Sequence, residues 1–263
     1  GKTPNPCVIC NAQIKFSAFY EELKKQELDF DYLATGHYAR KNYDIKLRRW
    51  QILKGKDLLK DQSYFLCLLN QEQISKTLFP LGDKTKEEIK QIALDNGLGF
   101  LKEREESQDF IDSSVYPYIF PAEAFTSGEI VDINGKVLGY HRGLVNYTIG
   151  QRKHLGISGM DEPYYVVGID VEHNRLIVGP LMGLYKDNLQ ARNINWVSIP
   201  GLKETIKAET KIRLAHNAAP GKVIPLSENR VEVRFDEPQL SITPGQFAVF
   251  YQGDLLLGGG VIE

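Results

Sequence analysis

From about residue 184 onward, short apolar runs recur between turn signals, at residues 189–197, 206–214, 222–226, 230–235, 246–251 and 255–262. Runs of this length and spacing read as strands, and their number predicts a small all-β barrel. Gly258, Gly259 and Gly260 fall in the last run. Without side chains they permit a tight bend or the close approach of another backbone.

The stretch before the barrel has a different texture. From Phe120 the sequence reads as strands, with a hairpin over residues 128–141 that turns at Asn134-Gly135. Strands are expected at residues 164–167 and 175–178, joined by the turn-rich Glu172-His173-Asn174. Gln151, Arg152, Lys153 and His154 form a polar-basic cluster, either phosphate-facing donors or a solvated loop.

Helical and strand signals mix in the first part. A helix is expected over residues 12–26, with Ile14, Phe16, Phe19, Tyr20 and Leu23 on one face. A short buried strand is expected over residues 31–38, a hairpin over 46–54, and a helix opening at Tyr64. Thr85 and Glu88 make a capping box for a helix that Gly97 stops. The first 112 or so residues read as the closing part of an α/β layer domain. The expected domains are 1–115 (α/β), 116–183 (small, mostly β) and 184–263 (β-barrel).

Chemistry concentrates at the start, in Thr3-Pro4-Asn5-Pro6-Cys7-Val8-Ile9-Cys10-Asn11. Two prolines stiffen this loop, which puts Cys10 just ahead of the expected helix N-terminus. There the helix dipole favours a thiolate, the form that attacks carbon or binds a soft metal. A lone Cys-x-x-Cys is equally compatible with packing. A closed zinc site needs four ligands, and only Cys67 and five histidines remain, with no paired motif. Gly36 and His37 follow the strand at residues 31–38, where an α/β sheet places its ligands. Lys60-Asp61-Gln62 is a charged loop that serves as a cap or as a contact surface.

A chain of 263 residues, 42% hydrophobic and 25% charged, fits two or three globular domains. No apolar run approaches a membrane span, and no leader is evident. Three cysteines without a framework point to a reducing cytoplasm. A net charge of −2 excludes a global attraction to nucleic acid, so RNA binding would rest on local patches. The chain opens on Gly1 within what reads as a working loop, so we expect a fragment of a longer protein.

Several separated blocks fall in one order. They are Thr-Pro-Asn-Pro-x-x-x-Cys-Asn with Ile-Lys-Phe (3–16), Ala-Thr-Gly-His-Tyr (34–38), Lys-Asp-Gln-Ser-Tyr-Phe-Leu (60–66) and Leu-Phe-Pro-Leu-Gly (78–82). Beyond them stand Tyr-Thr-Ile-Gly-Gln-Arg (147–152), Arg-Leu-Ile-Val-Gly (175–179), Val-Arg-Phe-Asp-Glu-Pro (233–238), Thr-Pro-Gly-Gln (243–246) and Leu-Gly-Gly-Gly (257–260). Through these blocks nearly the whole chain resembles the bacterial tRNA-specific 2-thiouridylases, which sulfurate the wobble uridine of certain tRNAs. The resemblance implies an adenine-nucleotide α-hydrolase-like domain, a central tRNA-binding domain and a C-terminal β-barrel. It implies ATP and Mg²⁺ as cofactors, adenylation of the uridine C2 oxygen, and attack by a sulfur species that expels AMP.

By position, the resemblance makes Cys10 the nucleophile-type cysteine and sets Asn5, Pro6 and Cys7 against the target base. Gly36 then approaches ATP. His37, Lys60, Asp61, Gln62, Arg213, Leu214 and Gln246 contact tRNA. The implied partners are tRNA and a sulfur-donor protein or sulfide, with no membrane; we expect a cytoplasmic monomer.

Two departures stand out. The family's Ser-Gly-Gly-x-Asp-Ser ATP loop is not in this sequence, so the polypeptide as given is expected to bind ATP poorly. The family's second cysteine aligns with Ile111, after Ser107-Gln108-Asp109-Phe110, and isoleucine carries no sulfur. Cys7, where many relatives place Asp, offers a substitute. Cys7 and Cys10 would act together, either as persulfide carrier and resolving thiol or as two ligands of an iron–sulfur cluster completed elsewhere. Cys67, in an apolar segment, is expected in the core. The competing readings are a non-catalytic tRNA-binding paralogue and another adenylating enzyme on the same fold.

Overall fold

The computed structural model describes residues 1–26, 30–99 and 115–263. Two compact units emerge: residues 1–3, 105–187 and 238–244 in one, and 4–104, 188–237 and 245–263 in the other. Ile111 and the block at residues 107–110 lie outside the described residues.

The larger unit opens with a helical segment made of α1 (Pro6–Ile9), a π-helical stretch (Cys10–Ala18) and α2 (Phe19–Lys25). It begins at Pro6, not near Asn11 as apolar spacing predicts. Asn5 is the reason, because its side-chain oxygen accepts the Val8 N–H as an N-cap. Pro6 then takes the first helical position, where a missing N–H costs nothing. The expected apolar face also fails. A π-helix bonds i to i+5, and the two buried residues of the stretch, Asn11 and Phe16, are five apart. Ile14 and Phe19 are left exposed.

Next come β1 (Leu33–Ala34) and the hairpin of β2 (Ala39–Asp44) and β3 (Arg49–Lys54), longer than the hairpin expected at 46–54. The expected helix at Tyr64 is a 3₁₀ turn, Ser63–Leu66. Tertiary packing overrides its apolar run: Tyr64, Leu66 and Cys67 are fully buried, and the Tyr64 hydroxyl donates to the Phe247 carbonyl. After α3 (Gln71–Ser75), β4 (Thr77–Leu78) pairs in parallel with β1. The helix α4 (Lys86–Asp95) carries the predicted capping box, Thr85 and Glu88 bonding reciprocally. It ends at Gly97 (φ +76°), where Gly97 and Leu98 donate to the carbonyls of Leu94 and Ala93 in a Schellman motif.

The smaller unit follows α5 (Tyr116–Ile119) with a mixed sheet of β5 (Gly128–Asp132), β6 (Val137–His141), β7 (Tyr164–Asp170) and β8 (Arg175–Pro180), in the order β6-β5-β8-β7. Its core is Ile130, Tyr147, Leu155, Val166, Leu176 and Val178. The predicted turn forms with Gly135 at φ +83°, and the Asp132 carboxylate accepts the N–H groups of Asn134 and Lys136.

Six strands complete the chain: β9 (Tyr185–Trp196), β10 (Ile206–Lys211), β11 (Ala219–Ser227), β12 (Arg230–Leu240), β13 (Phe247–Gln252) and β14 (Leu255–Ile262). They order as β13-β10-β11-β12-β9-β14, and β13 pairs with β14 to close the predicted barrel. The triple glycine behaves as expected: a Cβ on Gly258 would strike the Asn195 carbonyl, and one on Gly259 would lie 3.0 Å from the Cβ of Cys67.

One feature of the larger unit is not visible in the sequence. Strand β14 also pairs with β3, so the β2–β3 hairpin continues the barrel sheet. Val8, Phe16, Ile52, Tyr64, Leu66, Cys67 and Ile74 share one core with Val197, Phe247, Val249, Tyr251 and Leu256. Side chains seal the seam. Gln71 accepts the Trp50 N–H and donates to the carbonyls of Trp50 and Val197, and Asn195 donates to those of Cys67 and Leu69.

Candidate active site

Helix initiation arranges the Asn5–Cys10 region. Asn5 is extended (φ −105°, ψ 96°), and its amide is used at both ends. The oxygen accepts the Val8 N–H at 3.4 Å, and the nitrogen donates to Oε1 of Gln246 at 3.3 Å. Two predicted site residues far apart in sequence thus meet. Cys7 is in the first helical turn, and the Cys10 N–H bonds to the carbonyls of Cys7 and Pro6. Cys10 therefore lies inside the helical segment where α geometry gives way to π, not on a loop ahead of a helix N-terminus. The helix dipole does little for its thiol there, because the effect falls off within the first turn. Both cysteines are half-buried thiols, and their i, i+3 spacing sets them on neighbouring positions of one face.

The next residue, Asn11, is 2% exposed. Its amide nitrogen donates to the Phe65 carbonyl at 3.3 Å, while its oxygen is buried without a hydrogen-bond partner. Cys67 sits in the core as predicted, and burial pushes its thiol far above the ordinary range. It is therefore inert as a nucleophile. Among the described residues, no three His, Cys, Asp or Glu side chains gather as a metal site.

Gly36 is exposed just past the carboxyl end of β1. His37 turns back toward the protein, with Nδ1 3.0 Å from the Thr35 hydroxyl and its ring against Phe16 and Phe79. Burial, reinforced by the Lys15 charge, lowers its pKa to about 4. At neutral pH it is an uncharged imidazole. Nothing in the sequence marked Thr35, Phe16 or Phe79 as its surroundings.

The loop at Lys60, Asp61 and Gln62 is mostly structural. The carboxylate of Asp61 is buried, accepting the Gly55 and Ser63 N–H groups at 3.0 and 3.1 Å and the Ser63 hydroxyl at 2.9 Å. A carboxylate so placed holds the loop's shape. Gln62 accepts the Tyr38 N–H through Oε1, and Gln62 and Lys60 are both half-buried. Lys211 lies behind the loop; burial lowers its pKa, and Asp61 opposes that shift. Arg213 and Leu214 occupy the loop between β10 and β11, with Leu214 exposed. In the smaller unit, Gln151 bonds internally, accepting the Thr148 N–H and donating to the Lys153 carbonyl. Of the basic cluster, Arg152, Lys153 and His154 are exposed.

Comparison with known proteins covers the whole chain. Residues 1–112 match the model of the tRNA methyl transferase HUP domain, 120–180 its PRC-barrel domain, and 186–262 the aminomethyltransferase beta-barrel domain. The chain is 48% identical to tRNA-specific 2-thiouridylase MnmA of Geotalea uraniireducens, covering 100% of this chain and 70% of that protein. It is 46% identical to tRNA-specific 2-thiouridylase MnmA 1 of Caldanaerobacter subterraneus subsp. tengcongensis (100% and 72%) and to the MnmA of Gloeothece citriformis (100% and 76%).

Proposed function

The chain belongs to the tRNA-specific 2-thiouridylase family, and from that membership we propose that it thiolates a tRNA uridine at C2 in an ATP-dependent reaction. The observation that carries this reading is similarity over every residue of the chain, with Asn5, Cys7 and Cys10 held on one capped helix start. The uridine C2 oxygen attacks the α-phosphate of ATP and releases pyrophosphate, which turns a poor leaving group into AMP. Sulfur then attacks C2, and AMP departs with the oxygen.

For the sulfur step we assign Cys10 as persulfide carrier and Cys7 as resolving thiol. The terminal sulfur of Cys10 persulfide bonds to C2. Cys7 thiolate then attacks the Cys10 sulfur, forming a Cys7–Cys10 disulfide and leaving its electron pair on the sulfur now bound to C2. A sulfur-donor protein recharges the site, and an external thiol reduces the disulfide. This relay needs no sulfur at Ile111. The described residues do not suit an iron–sulfur cluster, since they bring two thiolates together and Cys67 is committed to the core. Nor do they gather carboxylates for Mg²⁺, which would enter with the nucleotide. Lys60, Arg213 and Leu214, with neutral His37, form the tRNA-facing set in this reading, and Gly36 lies by the nucleotide. No helix of the described residues is long and apolar enough to cross a membrane, and the reading places the enzyme in the cytoplasm.

The test is thiolation of unmodified tRNA with ATP and a persulfide donor. It is run on this chain alone and on a version extended N-terminally with the Ser-Gly-Gly-x-Asp-Ser loop. Cys10→Ala should abolish product. Without external thiol, Cys7→Ala should release no free thiouridine and should trap a Cys10–tRNA mixed disulfide visible by mass spectrometry. Full turnover by Cys7→Asp would remove Cys7 from the mechanism. Binding of tRNA without thiolation in the extended version would favour a non-catalytic binder.

A further inference from the structure

Gln246 belongs to the barrel, yet its side-chain oxygen is spent on Asn5 at the helix start. Its main chain leaves it little freedom. Gly245 donates to the Ile262 carbonyl at 2.9 Å, and Ile262 donates to the Gln246 carbonyl at 2.8 Å. The glutamine is therefore fixed to β14 and presents an acceptor at a set point. Asn5 has one orientation that satisfies both neighbours. Its oxygen must face the Val8 N–H, an orphan donor of the first turn, so its NH₂ must face Gln246 and needs an acceptor there. Without that acceptor, the amide gains nothing on the Gln246 side and can rotate away from the cap.

We infer that Gln246 is a positioning residue for the cysteine-bearing helix start: its carbonyl oxygen locks Asn5 as the N-cap and so sets where Cys7 and Cys10 stand. The consequence for turnover rests on the thiolation reading above; the consequence for the helix start does not. The assignment differs from a direct RNA contact in the chemistry it demands. Positioning requires an acceptor at residue 246, whereas a phosphate contact requires a donor or a positive charge.

That difference sets the experiment. Gln246→Glu keeps an acceptor but adds negative charge, Gln246→Lys supplies only donors and attracts phosphate, and Gln246→Ala supplies nothing. Hydrogen exchange of the Val8 amide is followed in each, with exchange in β13 and β14 as the control for an intact barrel. Gln246→Lys and Gln246→Ala should raise Val8 exchange by about five-fold, the effect of losing an N-cap, while Gln246→Glu stays near the parent. In thiolation assays of the extended protein, Gln246→Lys should lower kcat while KM for tRNA holds or falls. Unchanged Val8 exchange in all three variants, with tRNA KM worst in Gln246→Glu and best in Gln246→Lys, would overturn positioning in favour of an RNA contact. If the exchange order holds but even the extended parent makes no thiouridine, the thiolation reading fails and the positioning role stands.

Discussion

At His37, burial and the nearby Lys15 charge push the imidazole from its ordinary pKa of 6.5 down to about 4. The unfolded chain therefore takes up a proton between these values that the folded chain refuses. Stability tied to His37 is complete above 6.5 and is lost as pH falls through about 4, amounting to about 3–3.5 kcal/mol at most. His37→Gln should flatten this part of the profile: between pH 7 and pH 4.5, its urea midpoint should fall less than the parent's. Equal falls would mean that His37 titrates normally. The sequence located this residue, beyond a strand and a glycine, but not its state, which depends on Phe16 and Phe79 arriving from other elements. Asp61 teaches the same lesson. A charged residue in a charged loop reads as surface until the Gly55 and Ser63 donors are known to converge on it. Cys67 was legible because an apolar run is a burial signal in any context.

At the scale of elements, local signals were followed wherever the chain closes its own hydrogen bonds. The Thr85–Glu88 box, the Gly97 stop and the Asn134-Gly135 turn are all short-range chemistry, and all form. Residues 6–25 misled the period argument, because π geometry replaces 3.6-residue spacing and buries positions five apart. Asn11 sits at the centre of that exception, nearly sealed from water with one bond to Phe65 and one unmatched oxygen. Asn11→Asp should be severe. It removes the donor to the Phe65 carbonyl and places a carboxylate where no cation is described within hydrogen-bond reach. A loss of about 3 kcal/mol or more is expected at pH 7, with recovery toward pH 4 as the acid protonates. Denaturant titrations at the two pH values check it; a loss independent of pH would point to lost packing instead.

For the molecule as a whole, the barrel's strands were readable from turn spacing, but their order and their junction with the β2–β3 hairpin were not. Strands β3 and β14 are joined by two paired positions and by side chains distant in sequence, and no local pattern announces such a seam. The shared core has a thermodynamic consequence: the segment at residues 4–99 and the barrel should unfold as one cooperative unit. The two tryptophans report on the two parts, Trp50 on β3 beside Tyr43 and Trp196 on β9 beside Phe250. Gln71 bridges them through Trp50 and Val197, so Gln71→Ala deletes its bonds to both and removes the acceptor of the Trp50 N–H, while the Val197 carbonyl keeps its bond from Arg49; the loss is about 1–2 kcal/mol. Introduced into single-tryptophan backgrounds (Trp50→Phe or Trp196→Phe), Gln71→Ala should lower the fluorescence midpoint by the same amount in each. A fall sensed by Trp50 but not by Trp196 would show a barrel that stands without the hairpin. Equal falls would mean that damage at the seam reaches both parts together, so the barrel and the segment carrying Asn5, Cys7 and Cys10 hold their geometry in common.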